Sequence, residues 1–264
     1  MSLACLVSPH QHLNITLHDN GILELVLNRP ERKNALFGDF YLALTQALNE
    51  ADLSDAVRVV LLRGEKDFCA GNDLQDFIDH PPTTPDAPAF LLLRAAASLT
   101  KPLVVAVQGV AIGIGSTILL HADLVYSDSH ARFQLPFLNL GLVPEGGSTL
   151  LLPQRAGYLK AAELLLLGEP FNAQTALLAG LVTQVIEEQD TYQYAHAKAA
   201  QVARLPLATV KLTKQLLRGG NSDVIARINE EGTHFIERAQ SKALHEAVAA
   251  FKEKRMPDFK QFED

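Results

Sequence analysis

The alternation of strand and helix patterns between Leu13 and Tyr126 limits the fold more than any other feature of this chain. The segments "VRVVLLRG", "PLVVAVQG" and "DLVYSD" are predicted strands, and helical patterns lie between them. Before them, two alternating apolar runs flank an Asn20-Gly21 turn, which predicts a β-hairpin. Strands that alternate with helices indicate βαβ units and a mostly parallel sheet.

The pattern changes after Gly147, where helical segments dominate. Seven are predicted from their periodicity, over Ser148–Arg155, Leu159–Leu166, Ala173–Ala179, Tyr192–Arg204, Leu207–Leu217, Asp223–Ala239 and Lys242–Lys254. The fold class is therefore α/β, with a helical C-terminal region. We divide the chain into an α/β core, residues 1–195, and a helical region, residues 196–264.

Composition excludes several classes of function. Of the 264 residues, 48% are hydrophobic and the net charge is −7, with lysines and arginines scattered along the chain, so neither nucleic acid nor an anionic membrane surface is an expected partner. No apolar run reaches the length of a membrane span, and "MSLACLVSPHQHLN" lacks the pattern of a secretory signal. With only Cys5 and Cys69, no disulfide framework is predicted, and a cytoplasmic location fits best.

Two predicted strands end in glycine-bearing turns that lead into helices, "FCAGNDLQDF" and "VAVQGVAIGIGSTILL". Unpaired backbone amides at such turns favour an anionic oxygen, and two amides from separate turns could form an oxyanion hole. Close packing of helix on sheet explains either turn alone equally well. Gly109, Gly113 and Gly115 do not have the G-x-G-x-x-G spacing, so a nicotinamide cofactor is not expected.

Glu145 is the only carboxylate between Arg132 and Pro153, a stretch that is almost wholly apolar. Burial in such surroundings raises the basicity of a carboxylate, which suits a group that accepts a proton from a substrate. The alternative is a structural acid in the first turn of the helix that follows Gly147.

Four motifs in order resemble the crotonase family, the enoyl-CoA hydratase/isomerase superfamily: "LNRPERKNAL", "FCAGNDL", "KPLVVAVQGVAIGIGSTILLHADLVYS" and "FQLPFLNLGLVPEGGSTLLLP". The resemblance runs from about residue 13 to 190, and "FKEKRMPDF" is similar to the family's C-terminal end. It implies a spiral of ββα units, a helical trimerisation region that covers the CoA site, and homotrimers or hexamers built as dimers of trimers. It also implies acyl-CoA thioester substrates, with the thioester oxygen held between the amides of Asn72 and Ile114.

The chain departs from the family's hydratases at two places where they resemble each other in carrying glutamate, here occupied by Thr117 and Phe137. Neither side chain can deprotonate water, so a competent hydratase is not expected. Glu145 lies in "GLVPEGG", which resembles the Gly-Leu-x-x-Glu-Gly-Gly motif of peroxisomal-type Δ3,Δ2-enoyl-CoA isomerases. The resemblance therefore implies an isomerase in which Glu145 moves the proton.

The same resemblance implies a set of substrate-binding residues. They are Arg32, Lys33, Ala70, Gly71, Asp73, Leu74, Gly113, Phe137, Leu142 and Lys252. Simpler roles remain open, since Asp73 could begin a helix, each cation could be a solvated surface charge, and at least half of Phe137, Leu142, Leu135 and Leu138 are expected to be plain core. The histidines lack ligand spacing, so no metal is expected, and no cofactor is expected because the CoA thioester is the substrate.

Rival functions remain open. An acid at the position of Glu145 also resembles the ring-type isomerase of phenylacetyl-CoA degradation and certain aryl-CoA dehalogenases. The dehalogenases also need a histidine near the "AGND" turn, and His80, the nearest candidate, is expected to lie too far along the chain. A hydratase-like enzyme is a further rival, and so is an acyl-CoA-binding protein with a decayed active site.

Overall fold

The computed structural model describes residues 10–187 and 189–262, so Cys5 and the last two residues lie outside the described part of the chain. Its larger sheet has six strands in the order β1 (Leu13–Leu17), β2 (Ile22–Leu27), β3 (Val59–Gly64), β4 (Leu103–Val107), β6 (Leu124–Asp128) and β9 (Gln184–Ile186). The hairpin of β1 and β2 is antiparallel, as predicted, and every other pair in this sheet is parallel.

Both faces of this sheet are buried, which explains why its strands are continuous apolar runs. On β3, Val60 and Leu62 face the main core, whereas Val59 and Leu61 face a second cluster on the other side. Helices α1 (Gly38–Leu53) and α3 (Pro88–Ser98) contribute to the main core. The second face is covered by alanines of α8 (Thr191–Ala203), whose small side chains let that helix approach closely.

A smaller sheet consists of β5 (Val110–Ile112), β7 (Arg132–Gln134) and β8 (Phe171–Asn172). Strand β5 runs parallel to β7, and β8 is antiparallel to β7. The sequence does not predict these strands or β9, because two or three residues are too few to show an alternating pattern. The smaller sheet carries the second glycine-bearing turn, at the end of β5.

The remaining helices are α2 (Leu74–Asp79), α4 (Ile114–Thr117), α5 (Ser148–Ala156), α6 (Tyr158–Leu167), α7 (Ala173–Leu178), α9 (Leu207–Arg218), α10 (Ser222–Ala239) and α11 (Lys242–Glu253). Each of the seven helices predicted after Gly147 is found, with bounds that agree within one residue. The segment "IGSTILLHA" differs, because α4 continues as a 3₁₀ turn over Ile118–His121. Across the residues described, no helix combines the length and the apolar character needed to cross a bilayer.

The C-terminal helices pack closely against the α/β core. Lys214 and Arg218 of α9 both contact the Asp123 carboxylate, which precedes β6. The predicted division between residues 195 and 196 falls inside α8, which packs on the larger sheet. The division into residues 1–195 and 196–264 stays a prediction.

Candidate active site

A cavity of about 790 Å³ lies between the two glycine-bearing turns and the C-terminal helices. Asn72 and Ile114, one from each turn, line it together with Glu145. Helix α10 contributes Phe235, and α11 contributes Ala247. The structure thus brings the three predicted catalytic residues to one cavity, although they are far apart in the sequence.

Close backbone contacts hold the two turns together. The amide of Ile112 donates to the carbonyl oxygen of Cys69 at 2.9 Å, which joins the first turn to the end of β5. A Cβ atom at Gly71 would lie 2.8 Å from the carbonyl oxygen of Ile112, and one at Gly115 would lie 2.4 Å from that of Cys69. Glycine is required at both positions because backbone occupies the space that a side chain would need.

The backbone amides of Asn72 and Ile114 are available to a ligand. On either side of Asn72, the Leu36 amide donates to the Gly71 oxygen and the Asp73 amide donates to the Leu36 oxygen, so the Asn72 amide faces away from that contact. Ile114 is the first residue of α4, where an amide has no partner within the helix. Within residues 10–187 and 189–262, neither amide donates a hydrogen bond to a protein acceptor.

Glu145 is buried, with 4% of its surface exposed. Its Oε1 accepts a hydrogen bond from the Thr117 hydroxyl at 2.5 Å, whereas its Oε2 has no partner among the described residues. Burial raises the pKa of Glu145 to about 8; the bond from Thr117 opposes this rise, and the negative charge of Glu231 adds to it. One oxygen is therefore fixed and the other is free to exchange a proton.

Tyr41 lines the cavity, although the sequence predicts it only as part of the apolar face of a helix. Its hydroxyl donates to Oδ1 of Asn72 at 2.6 Å. This bond ties the Asn72 side chain to α1 and so restrains the peptide that presents the Asn72 amide. No local pattern could reveal the contact, since the two residues are 31 apart in sequence.

The predicted substrate-binding residues divide into two groups. Those that line the cavity are Ala70, Gly71, Leu74, Gly113, Phe137 and Leu142. Arg32, Lys33, Asp73 and Lys252 do not line it. Asp73 caps α2, which is the simpler of the two roles predicted for it, and it also forms an ion pair with Arg29 at 2.8 Å. Arg32, Lys33 and Lys252 are exposed, and only the Lys33 carbonyl approaches the cavity wall, where it accepts from the Ala70 amide at 2.9 Å.

Apolar and aromatic side chains form much of the remaining wall. Phe77, Phe90 and Phe235 line the cavity, and the ring of Phe235 meets the other two edge to face, with centroids 5.9 and 5.7 Å apart. Leu135 and Leu138 lie in or against the core and do not line the cavity, so half of the four apolar candidates are plain core. An apolar wall with few polar groups is typical of a site for an acyl chain or ring.

His80 also lines the cavity and pairs with Asp76 at 3.1 Å. Its side chain is 78% exposed, and the prediction that it lies too far along the chain to act as the histidine beside the "AGND" turn stays a prediction. Among the residues that the structure describes, no group of three or more His, Cys, Asp or Glu side chains is arranged to hold a metal ion.

Comparison with models of known protein families identifies the family of this chain. The family model described as "Enoyl-CoA hydratase/isomerase" matches residues 18–262. The chain belongs to the enoyl-CoA hydratase/isomerase family. The resemblance to crotonases that its motifs indicated is confirmed, and the protein is a crotonase-family acyl-CoA enzyme.

Relatives within the family differ in their reactions. The chain is 34% identical over 250 residues to the 1,2-epoxyphenylacetyl-CoA isomerase of Escherichia coli, and the alignment covers 91% of this chain and 95% of that protein. It is 35% identical over 243 residues to the 2,3-dehydroadipyl-CoA hydratase of the same organism, with 90% and 95% covered. It is 30% identical over 230 residues to the human enoyl-CoA delta isomerase 2, with 84% and 58% covered. The family is thus established, and the reaction is not.

A solved structure supports the predicted fold class. A crystal structure of an enoyl-CoA hydratase/isomerase from Pseudoalteromonas atlantica superposes with a TM-score of 0.89 at 44% identity, covering 94% of this chain and 100% of that one. The predicted crotonase-like α/β fold, with a helical C-terminal region, is therefore confirmed.

Proposed function

We propose that this enzyme moves the double bond of an enoyl-CoA thioester from position 3 to position 2, with Glu145 as the single proton carrier. The observation that carries the proposal is the free Oε2 of Glu145, which belongs to a residue in the wall of the same cavity as the amides of Asn72 and Ile114. A carboxyl oxygen without a partner and two amides without acceptors are what a base and an oxyanion hole require.

The reaction begins at C2 of the 3-enoyl thioester, whose protons are acidified by the carbonyl group and the alkene on either side. The Glu145 carboxylate takes one of these protons, and the electron pair spreads over C2, C4 and the thioester oxygen as a dienolate. The amides of Asn72 and Ile114 donate to that oxygen and stabilise its negative charge. The protonated Glu145 then delivers the proton to C4, which leaves the double bond between C2 and C3 and restores the carboxylate.

The electrostatics of the site suit this use of Glu145. Burial brings its pKa to about 8, so the ionised form is a stronger base than an exposed glutamate. A base that returns the same proton works best with a pKa near the working pH. The apolar wall keeps water from competing for the dienolate.

Two features of the sequence argue against hydration as the main reaction. Thr117 occupies one place where hydratases of the family resemble each other in an acid, and its hydroxyl is engaged by Glu145. Phe137 occupies the other and is buried at the cavity wall. Without an acid at either place, Glu145 alone would have to activate a water molecule and handle the carbon proton. The 30% identity to human enoyl-CoA delta isomerase 2 supports isomerisation.

A second candidate is isomerisation of a ring-bearing acyl-CoA. The 34% identity to the E. coli 1,2-epoxyphenylacetyl-CoA isomerase favours it, and so does the aromatic wall of Phe77, Phe90 and Phe235. Edge-to-face packing of the kind already present among these side chains would also accommodate an aromatic substrate.

Incubation of the purified enzyme with straight-chain 3-enoyl-CoA, 2-enoyl-CoA and 1,2-epoxyphenylacetyl-CoA separates these candidates. We expect the first to gain the ultraviolet absorbance of a conjugated thioester and the second to yield no 3-hydroxyacyl product. Conversion of the epoxide alone would favour the ring-type reaction, and hydration of the 2-enoyl-CoA would favour a hydratase. Tight binding without any conversion would indicate a decayed enzyme.

A further inference from the structure

Glu231 is a buried carboxylate on α10 that contacts the turn after Glu145. Its Oε2 accepts from the Gly147 amide at 2.6 Å, and its Oε1 accepts from the amide and the hydroxyl of Thr149 at 2.9 and 2.5 Å. Only 5% of the residue is exposed, although burying a carboxylate is costly. The hydrogen bonds of this carboxylate satisfy backbone amides of the turn, which an apolar side chain could not do.

A second buried group holds the other side of the same turn. Nε2 of His121 lies 2.8 Å from the carbonyl oxygen of Gly146. Burial, with the charge of Arg218 nearby, lowers the pKa of His121 to about 3, so the ring is neutral and Nε2 is the nitrogen that carries the proton. The single peptide group that joins Gly146 to Gly147 is thus fixed from opposite sides, because His121 donates to its carbonyl oxygen and Glu231 accepts from its N–H.

We propose that Glu231 is a positioning residue for Glu145, which fixes the turn that aims its carboxyl group and holds a second negative charge near it. The proposal rests on the proposed function, because it assigns Glu231 a part in the proton transfer made by Glu145. Glu231 itself does not line the cavity; it acts through the backbone of Gly147 and through its electric field.

The charged and titratable groups around the pair come from three elements. On α1, Tyr41 donates its buried hydroxyl to Asn72, and the pKa of Tyr41 is raised well above the usual value mainly by burial, with smaller contributions from Cys69 and Glu145. The 3₁₀ turn contributes His121, whose ring is neutral. On α10, Arg227 donates to the Thr149 hydroxyl at 3.2 Å and pairs with the exposed Glu230. Glu231 is therefore the charge that most directly influences the ionisation of Glu145.

The test measures kcat and kcat/KM against pH for the wild type, Glu231→Gln and the control Glu230→Gln, which removes an exposed charge from the same helix. Glutamine keeps one acceptor oxygen and removes the charge. Because the negative charge near Glu145 is removed, we expect the lower pH midpoint of kcat/KM to fall by about 0.5 to 1.5 pH units in Glu231→Gln. A less well oriented Glu145 carboxyl group should also lower kcat by about tenfold, even at pH 9, where Glu145 is ionised, while KM changes little. Glu230→Gln should match the wild type.

A direct titration keeps this test independent of the reaction. With ¹³C-labelled glutamate, the carboxyl signal of Glu145 is the one lost in Glu145→Gln, and its midpoint can be followed in the wild type and in Glu231→Gln. A downward shift without any double-bond migration would leave the influence of Glu231 intact and overturn the proposed reaction. An unchanged midpoint together with unchanged kcat would overturn the role of Glu231, as would a lower melting temperature with both quantities unaltered.

Discussion

The burial of Glu145 links its ionisation to folding. Its pKa is about 8 in the folded protein against an ordinary value of 4.5. Between these two pH values the folded chain keeps a proton that the unfolded chain has released. The free energy of unfolding therefore decreases as pH rises through this window, by up to about 1.4 kcal/mol per pH unit.

Replacement by glutamine should remove this dependence, because the amide stays neutral in both states. Urea unfolding at pH 5, 6, 7 and 8 measures the difference in unfolding free energy between Glu145→Gln and the wild type. We expect the difference to change progressively in favour of the variant as pH rises. Parallel pH dependences would show that the pKa of Glu145 is not raised by folding. The exposed Glu230→Gln is the control, and its unfolding free energy should depend on pH as that of the wild type does.

The site residues differ in how far the sequence could reveal them. Glu145 is visible because it is a lone acid in an apolar stretch. The two glycine-bearing turns are visible because they follow predicted strands, but Asn72 and Ile114 within them are named only by the family resemblance. Tyr41 and Glu231 are not visible, because their partners lie 31 and 84 residues away. Hydrogen bonds made between distant elements leave no local pattern, so only the folded chain discloses them.

Helix α9 is attached to the core by a partly buried charge cluster. The Asp123 carboxylate pairs with Lys214 at 2.6 Å and with Arg218 at 3.0 Å. Lys214 also donates to the Lys101 carbonyl at 2.7 Å, and burial lowers the pKa of Lys214 to about 8 against the opposing effect of Asp123. Removing the acid would leave two cations without their counter-ion in a poorly hydrated place.

Asp123→Ala should therefore destabilise the protein by about 2–4 kcal/mol, somewhat less than a fully buried pair because Asp123 is partly exposed. The midpoint of urea unfolding measures this loss. Glu230→Ala, which breaks an exposed pair with Arg227, should cost no more than about 1 kcal/mol. Equal effects of the two substitutions would contradict a structural role for the Asp123 cluster.

Elements with enough residues to show a period are predicted closely, and short ones are not. Helices α7 and α8 begin where Asn172 and Asp190 accept from backbone amides of the first turn, so sequence and capping agree on their bounds. Strands β5, β7 and β8 owe their existence to pairing with one another rather than to their own composition. Their positions depend on the tertiary fold, which propensity does not report.

The surface of the molecule carries large apolar side chains that the described fold leaves exposed. On α6 and α7 they are Tyr158, Leu159, Leu166, Leu167 and Leu178. Large apolar groups that a single chain leaves exposed favour contact between copies of the chain. We therefore propose the homotrimer or dimer of trimers that the family resemblance implies.

Light scattering coupled to size-exclusion chromatography tests this proposal against the chain mass of 28.8 kDa. We expect three or six chains per particle, and fewer in Leu159→Glu, where a charge would enter the interface. Leu53→Glu, a substitution of a similarly exposed leucine on α1, is the control. A wild-type protein that elutes as a single chain at micromolar concentration would rule out the trimer.

In the proposed reaction one carboxyl group, Glu145, moves the proton while the amides of Asn72 and Ile114 hold the thioester oxygen. The decisive measurement is the rate of 3-enoyl-CoA isomerisation by Glu145→Gln, taken beside the affinity of this variant for the 2-enoyl-CoA product. We predict a loss of at least about a hundredfold in kcat with the affinity retained, since the glutamine keeps the shape of the cavity and lacks the base. A variant that isomerises at a rate near that of the wild type would contradict the claim.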